Sequence, residues 1–152
     1  NGFVAHEMIL DCNNFSKTAH VEVIDIAKRL IDYGFHAPTV AFPVHGTLMV
    51  EPTESEPIKE LDRFVEAMVK IREEIAEIQE GKVSQENNVI KNAPHKMELL
   101  LNPEWNLPYS RQKAYMPVEI PNKYFSPIGR VNDAHGDRNL VCTCPPIEDY
   151  LG

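Results

Sequence analysis

Long apolar runs, basic residues and cysteines are all scarce in this sequence of 152 residues. No stretch approaches 18 uninterrupted apolar residues, which excludes a membrane-spanning helix. Lys and Arg number 15 against 23 Asp and Glu, and the resulting net charge of -8 argues against binding to nucleic acid or to an anionic membrane surface. Three cysteines are too few for a disulfide framework.

Glycine is also scarce, and the seven glycines are scattered. They form neither a GxGxxG nor a GxxxxGK[ST] phosphate loop, and the GxSxG elbow of serine hydrolases is absent. Nucleotide binding through those devices is therefore not expected. The sequence opens with Asn1-Gly2-Phe3 rather than an initiator methionine, so we expect a chain that is processed or cut from something longer.

The first half alternates between strand-like and helix-like patterns. A strand is predicted over residues 3–10 and two short strands over 39–42 and 47–51, and a turn is expected over 11–16. Helices are predicted over 20–33, ending at Gly34, and over 56–80, with Ser55 as N-cap. The long helix should bury Val65 within its apolar stripe and turn Glu74 to solvent. Residues 1–81 therefore predict an α/β or α+β domain core, with α+β the preferred fold class and a small sheet covered by helices.

The second half has a different character. Six prolines lie between residues 82 and 128, and the only predicted helix is short, over 110–115, with Ser110 as its cap. A terminal strand is predicted over 139–143. Residues 82–152 are thus predicted to form a long, Pro-rich, irregular tail that packs on a larger protein.

The sequence contains few residues that are candidates for redox chemistry, metal binding or anion binding. Cys142 and Cys144 would share one side of a strand, which suits a redox role or a soft metal with His135, but the zinc spacings use two to four intervening residues. Two small residues before Pro145-Pro146 explain the pattern equally well. The guanidinium of Arg111 suits a carboxylate or phosphate ligand, or a structural ion pair.

Several segments together resemble the carboxy-terminal end of the glycine decarboxylase family, the pyridoxal-phosphate-dependent P-proteins of the glycine cleavage system. The resemblance covers nearly the whole chain in order. Its segments are YGFHAPT at 33–39, GTLMVEPTES at 46–55, ELDRF at 60–64, PYSR at 108–111, GRV at 129–131, GD at 136–137 and LVCT at 140–143.

The resemblance implies the small carboxy-terminal domain and tail of a fold-type-I pyridoxal-phosphate enzyme. The family decarboxylates glycine and transfers the aminomethyl group to the lipoyl arm of H-protein. The implied partners are the rest of the P-protein and lipoylated H-protein, in a homodimer or heterotetramer. The implied compartment is the mitochondrial matrix in a eukaryote and the cytoplasm in a bacterium.

The resemblance also indicates what this chain lacks. The family's Schiff-base lysine lies upstream in a Ser-His-Lys context, whereas Lys96 follows Pro94-His95 in another part of the pattern. We therefore expect pyridoxal phosphate to be bound by a missing large domain, no catalytic residue and no metal ligand in this chain, and no activity of the chain alone.

By analogy with small domains that close over substrate, six residues are candidates for lining the substrate entrance. They are His36, Thr39, Glu51, Thr53, Glu54 and Arg111. Glutamates before a helix can instead simply complement its dipole. Cys142 and Cys144 are candidates for redox coupling to a cysteine of the large domain.

Five positions depart from the family pattern: Asn13-Asn14 replaces Arg-Pro before Phe15, and His45, Asn132 and His135 replace the usual residues. The departures leave an alternative open, a non-catalytic homologue or binding module for H-protein or a full-length subunit. An unrelated thiol or metal protein built on Cys142 and Cys144 is a further alternative.

Overall fold

A three-stranded antiparallel sheet forms one layer of the protein. A computed structural model of the chain describes residues 2–120, 123–141 and 145–150. The strands are β1 (Met8–Asp11), β2 (Thr39–Val40) and β3 (Thr47–Val50), in the order β1-β3-β2. Met8 pairs with Val50 and Thr39 pairs with Met49, so these four residues lie at the same end of the sheet.

Three helices belong to the same half of the chain: α1 (Asn13–Ala19), α2 (Val23–Asp32) and α3 (Ile58–Gln79). A capping box between Glu22 and Asp25 begins α2, and Gly34, with a φ of 78°, follows its end. The apolar core is built mainly from α2, β3 and the carboxy-terminal part of α3. It includes Val21, Ile26, Leu30, Leu48, Ile71 and Ile75.

The second half carries short helices: α4 (Met97–Leu101), α5 (Arg111–Tyr115), α6 (Asp133–Arg138) and a 3-10 helix over Ile147–Tyr150. Part of it lies on the first half, because Val89 and Ile90 belong to the core and Tyr115 is 1% exposed. The division of the chain at residue 81 stays a prediction.

Most of the predicted elements are confirmed: the α+β class, the strands near 39–42 and 47–51, and the helices over 20–33 and 110–115. The first strand is shorter than predicted, and the turn expected over 11–16 is wrong because α1 begins at Asn13. With only seven residues, α1 is too short to show a helical period in its sequence.

Two further predictions are wrong. The N-cap position of α3 is Pro57, and Ser55 lies before the helix, where its hydroxyl is 2.7 Å from the Thr53 hydroxyl. Residues 139–141 are not in a strand: they follow the end of α6, and Leu140 and Val141 are each 86% exposed, so no other element of the described residues packs on them. The other positions of that predicted strand, 142 and 143, lie outside the described residues. Within the described ranges, no helix is both long enough and apolar enough to cross a membrane.

Candidate functional site

An apolar groove of about 570 Å³ lies between the first half of α3, one end of the sheet and residues 35–39. The end of the sheet contributes Met8, Met49 and Val50, and α3 contributes Leu61, Phe64 and Val65. Its polar lining consists of one imidazole, one hydroxyl and three carboxylates, from His36, Thr39, Glu51, Glu56 and Glu60.

Two aromatic rings and one guanidinium fix the segment that enters the groove. The rings of Phe35 and Phe64 meet edge to face with their centroids 5.4 Å apart. The guanidinium of Arg63 lies 3.8 Å from the centroid of Phe35, and its Nη1 donates to the carbonyl of Tyr33 at 2.9 Å. Arg63 therefore holds residues 33–35 against α3 and sets the position of His36.

The charge of the groove is negative. Glu60 accepts a hydrogen bond from Arg63 Nη2 at 2.7 Å, and this bond lowers the pKa of Glu60 below its usual value. Glu51 and Glu56 are exposed. The arrangement suits an apolar group accompanied by a cation or a hydrogen-bond donor.

The structure brings three of the six entrance candidates together. His36, Thr39 and Glu51 all line the groove. Thr53 and Glu54 are exposed, and neither is among the residues that line it.

Arg111 lies elsewhere. Its Nη2 donates to the carbonyls of Asn102 and Pro103 at 2.5 and 3.1 Å, and its guanidinium sits 5.2 Å from the Trp105 ring centroid. Arg111 therefore ties the start of α5 to the loop after α4. Cys142 and Cys144 lie outside the described residues.

One group of possible metal ligands occurs among the described residues. His6, Glu7 and Glu51 have ligand atoms within 4.8 Å of one another, but all three side chains are exposed. His6 Nε2 and Glu7 Oε2 are 3.8 Å apart, which fits a surface ion pair when His6 is protonated.

A buried ionic network lies away from the groove, and the sequence analysis did not find it. Arg29 is 0% exposed. Its Nε and Nη2 donate hydrogen bonds to the carboxylate of Glu74 at 3.0 and 2.7 Å. Its Nη1 donates to Asp32 at 3.0 Å. Burial opposes the charge of Arg29, but the two carboxylates outweigh it and raise the pKa of Arg29.

Asp32 connects this network to the second half of the chain. It accepts the backbone N–H of His95 at 2.8 Å, and its Oδ2 lies 2.7 Å from His95 Nδ1. The other ring nitrogen of His95 is 2.8 Å from the hydroxyl of Tyr109. Burial raises the pKa of Asp32, but the hydrogen bonds from His95 and the charge of Arg29 reverse that effect and lower it.

The placement of Glu74 on a solvent face is wrong, since Glu74 is 6% exposed. A signal for buried ion pairs was present in α2. Asp25, Arg29 and Asp32 recur at spacings of four and three, so they share the helix face that carries core residues. Charged residues on a buried face indicate partners elsewhere in the chain.

The fold and the groove define a small α+β domain with an apolar cleft at one end of its sheet. The family described as glycine dehydrogenase, C-terminal domain, matches residues 1–95. The chain belongs to this family.

Curated relatives agree with that assignment. A protein of Bdellovibrio bacteriovorus named glycine dehydrogenase (decarboxylating) is 60% identical over 99% of this chain and 16% of its own length. Proteins of the same name from Christiangramia forsetii and Nostoc punctiforme are 58% and 57% identical, each over 16% of its length. The chain thus spans about 16% of the length of the relatives that it matches.

Proposed function

We propose that these residues are the carboxy-terminal domain of a pyridoxal-phosphate-dependent glycine dehydrogenase (decarboxylating). In the full-length enzyme, glycine is decarboxylated and its aminomethyl group passes to the lipoyl arm of H-protein. The observation that carries the proposal is the 60% identity to a protein of that name across 99% of this chain. The working form is a homodimer or heterotetramer, in the mitochondrial matrix of a eukaryote or the cytoplasm of a bacterium.

The groove does not fit the cofactor. Pyridoxal phosphate carries an anionic phosphate, whereas the groove presents three carboxylates and no lysine lines it. Lys96 is engaged with Glu98, with Nζ 2.6 Å from Oε2. This lining supports the proposal that the cofactor binds in the part of the full-length polypeptide outside this chain, and we expect the chain alone to be inactive.

The role proposed for this domain is to form one wall of the substrate entrance. His36, Thr39 and Glu51 are three of the five polar residues that line this mostly apolar groove, and His36 follows the segment that Arg63 fixes. A wall of this kind positions substrate and limits the access of water, while the cofactor supplies the stabilisation of charge during decarboxylation.

The first test uses the full-length protein that contains these residues. We expect the visible absorption of bound pyridoxal phosphate and release of carbon dioxide from glycine that depends on lipoylated H-protein. A purified protein of about 17 kDa without that absorption, bound to H-protein or to a longer subunit, would instead establish the non-catalytic binding module.

The second test addresses the groove in the same enzyme. We expect Thr39→Val and Glu51→Gln to lower kcat/KM for glycine, because both line the groove. Glu54→Gln is the matched control, since Glu54 is also an exposed carboxylate but does not line the groove. Unchanged kinetics in both groove variants would remove the groove from the substrate path.

A further inference from the structure

From Ile58 to Ile71, α3 is apolar on two opposite sides. One side is buried and carries Ala67 and Ile71, each 1% exposed. Ile58, Val65 and Val69 lie on the other side, because spacings of seven and four residues place them on one face. They are 69%, 59% and 51% exposed, and we call them the outer face of α3.

Further along the same helix, α1 lies beside α3. The guanidinium of Arg72 lies 5.4 Å from the ring centroid of Phe15, where α1 packs on α3. In contrast, Ile58, Val65 and Val69 are each more than half exposed to solvent. Among the large apolar residues of α3, the exposed ones all lie within residues 58–69.

A helix that is apolar on opposite sides is typical of one buried between two bodies. A surface helix needs only one apolar stripe, and contiguous exposed apolar residues mark docking sites. Val65 also lines the groove, so the outer face continues directly into the groove wall. The apolar spacing predicts Val65 within the buried stripe, whereas Val65 is 59% exposed, so this domain leaves one apolar side of the helix uncovered.

The lengths of the relatives identify the occupant. This chain accounts for 16% of their length and matches them over 98–99% of its own, so each relative carries a much larger body beside these residues. We propose that the outer face of α3 packs against that remaining part of the full-length polypeptide. The proposal rests on the proposed function, because it places these residues within one long enzyme.

A flanking charge specifies the chemistry of the occupant. Asp62 is exposed on α3 beside the outer face. Complementarity therefore calls for an apolar strip bordered by Lys or Arg side chains.

A photo-crosslink tests the proposal in the full-length protein. p-Benzoylphenylalanine replaces Val65 in one variant and Glu66, on the polar side of the same helix, in a matched control. We expect Val65→p-benzoylphenylalanine to crosslink within one chain, to a peptide outside these 152 residues, and the Glu66 variant to give none. A crosslink to a second copy or to another protein, or equal yields at both positions, would overturn the proposal.

A lysine substitution gives an independent readout. Val69→Lys is compatible with the fold of this domain because the side chain is half exposed, but it would place a charge within the proposed interface. We expect limited proteolysis to release the carboxy-terminal fragment faster from Val69→Lys than from the parent, and Glu66→Lys to behave like the parent. Equal release from all three would overturn the proposal.

These readouts do not depend on glycine turnover. A full-length protein that gives the Val65 crosslink but neither binds pyridoxal phosphate nor decarboxylates glycine would overturn the proposed function and leave the interface standing. An active enzyme that does not give the Val65 crosslink would overturn the proposed interface and leave the proposed function standing.

Discussion

Arg29 and Glu74 form a bidentate salt bridge in the interior of the protein, with Nη2 2.7 Å from Oε1 and Nε 3.0 Å from Oε2. The other donors of Arg29 reach Asp32 and the carbonyls of Lys113 and Ala114. One guanidinium thus joins α2, α3 and α5. Every one of its N–H groups has an acceptor, which a buried guanidinium requires.

Removing one partner of this salt bridge should lower the stability of the protein substantially. We expect Glu74→Leu to lower the free energy of unfolding by about 3 kcal/mol, because it leaves a buried charge with weakened compensation. Urea denaturation of the parent and the variant measures the difference. The control is Glu73→Ala, which removes the exposed ion pair between Lys70 and Glu73 and should cost about 0–1 kcal/mol. Equal costs at positions 73 and 74 would contradict the structural role of the buried pair.

A side chain at position 34 should lower the stability of the protein. Its φ is 78°, and an added Cβ would lie 3.2 Å from Cγ2 of Ile120. We expect Gly34→Ala to destabilise the chain by about 1–2 kcal/mol, the cost of a left-handed conformation for an L-residue. Gly136→Ala in α6 is the comparison, because no atom lies within 4 Å of its Cβ and alanine favours a helix by about 0.5–1 kcal/mol. Thermal unfolding of both variants should give shifts of opposite sign.

Two serines that precede helices should behave differently. The hydroxyl of Ser110 accepts the N–H of Lys113 at 3.0 Å, so Ser110→Ala should cost about 1 kcal/mol. Ser55 is exposed and makes no cap bond to α3, so Ser55→Ala should change stability by less than about 0.5 kcal/mol. Chemical denaturation distinguishes the two. A cost at Ser55 as large as that at Ser110 would show that Ser55 caps α3 after all.

Lys123 should titrate far below an ordinary lysine. Burial lowers its pKa to about 8 from 10.5, against the attraction of Asp32. Between these two values the unfolded chain holds more protons than the folded chain, so stability should rise with pH across that window. In Lys123→Met this rise should be smaller. Unfolding measured from pH 7 to pH 10.5 tests the point, and parallel curves for parent and variant would refute it.

Local patterns in the sequence were sufficient for part of the fold. The helix over 110–115 was predictable because its cap depends on Ser110 and the three residues after it, and β2 and β3 were predictable from β-rich runs around Pro43-Val44-His45-Gly46. α1 was not, because no apolar period marks it. The buried state of Glu74 was also hidden, since its partner Arg29 is 45 residues away in the sequence.

The candidate site was predictable only through the family resemblance. His36, Thr39 and Glu51 share no local motif, and the sheet brings them to one groove through the pairing of β2 with β3. Thr53 and Glu54 adjoin Glu51 in sequence but do not line that groove. The exposure of Val65 could not be foreseen either, because spacing in a helix identifies apolar faces but not how many of them the domain itself covers.

The reach of Arg29 has a consequence for biosynthesis. Two of its acceptors, the carbonyls of Lys113 and Ala114, lie 84 and 85 residues further along the chain. A ribosome therefore exposes α2 long before it exposes the groups that complete the surroundings of that arginine. A premature stop codon before residue 113 would do more than shorten a tail, because it would leave the interior of the earlier segment without two of its hydrogen-bond acceptors.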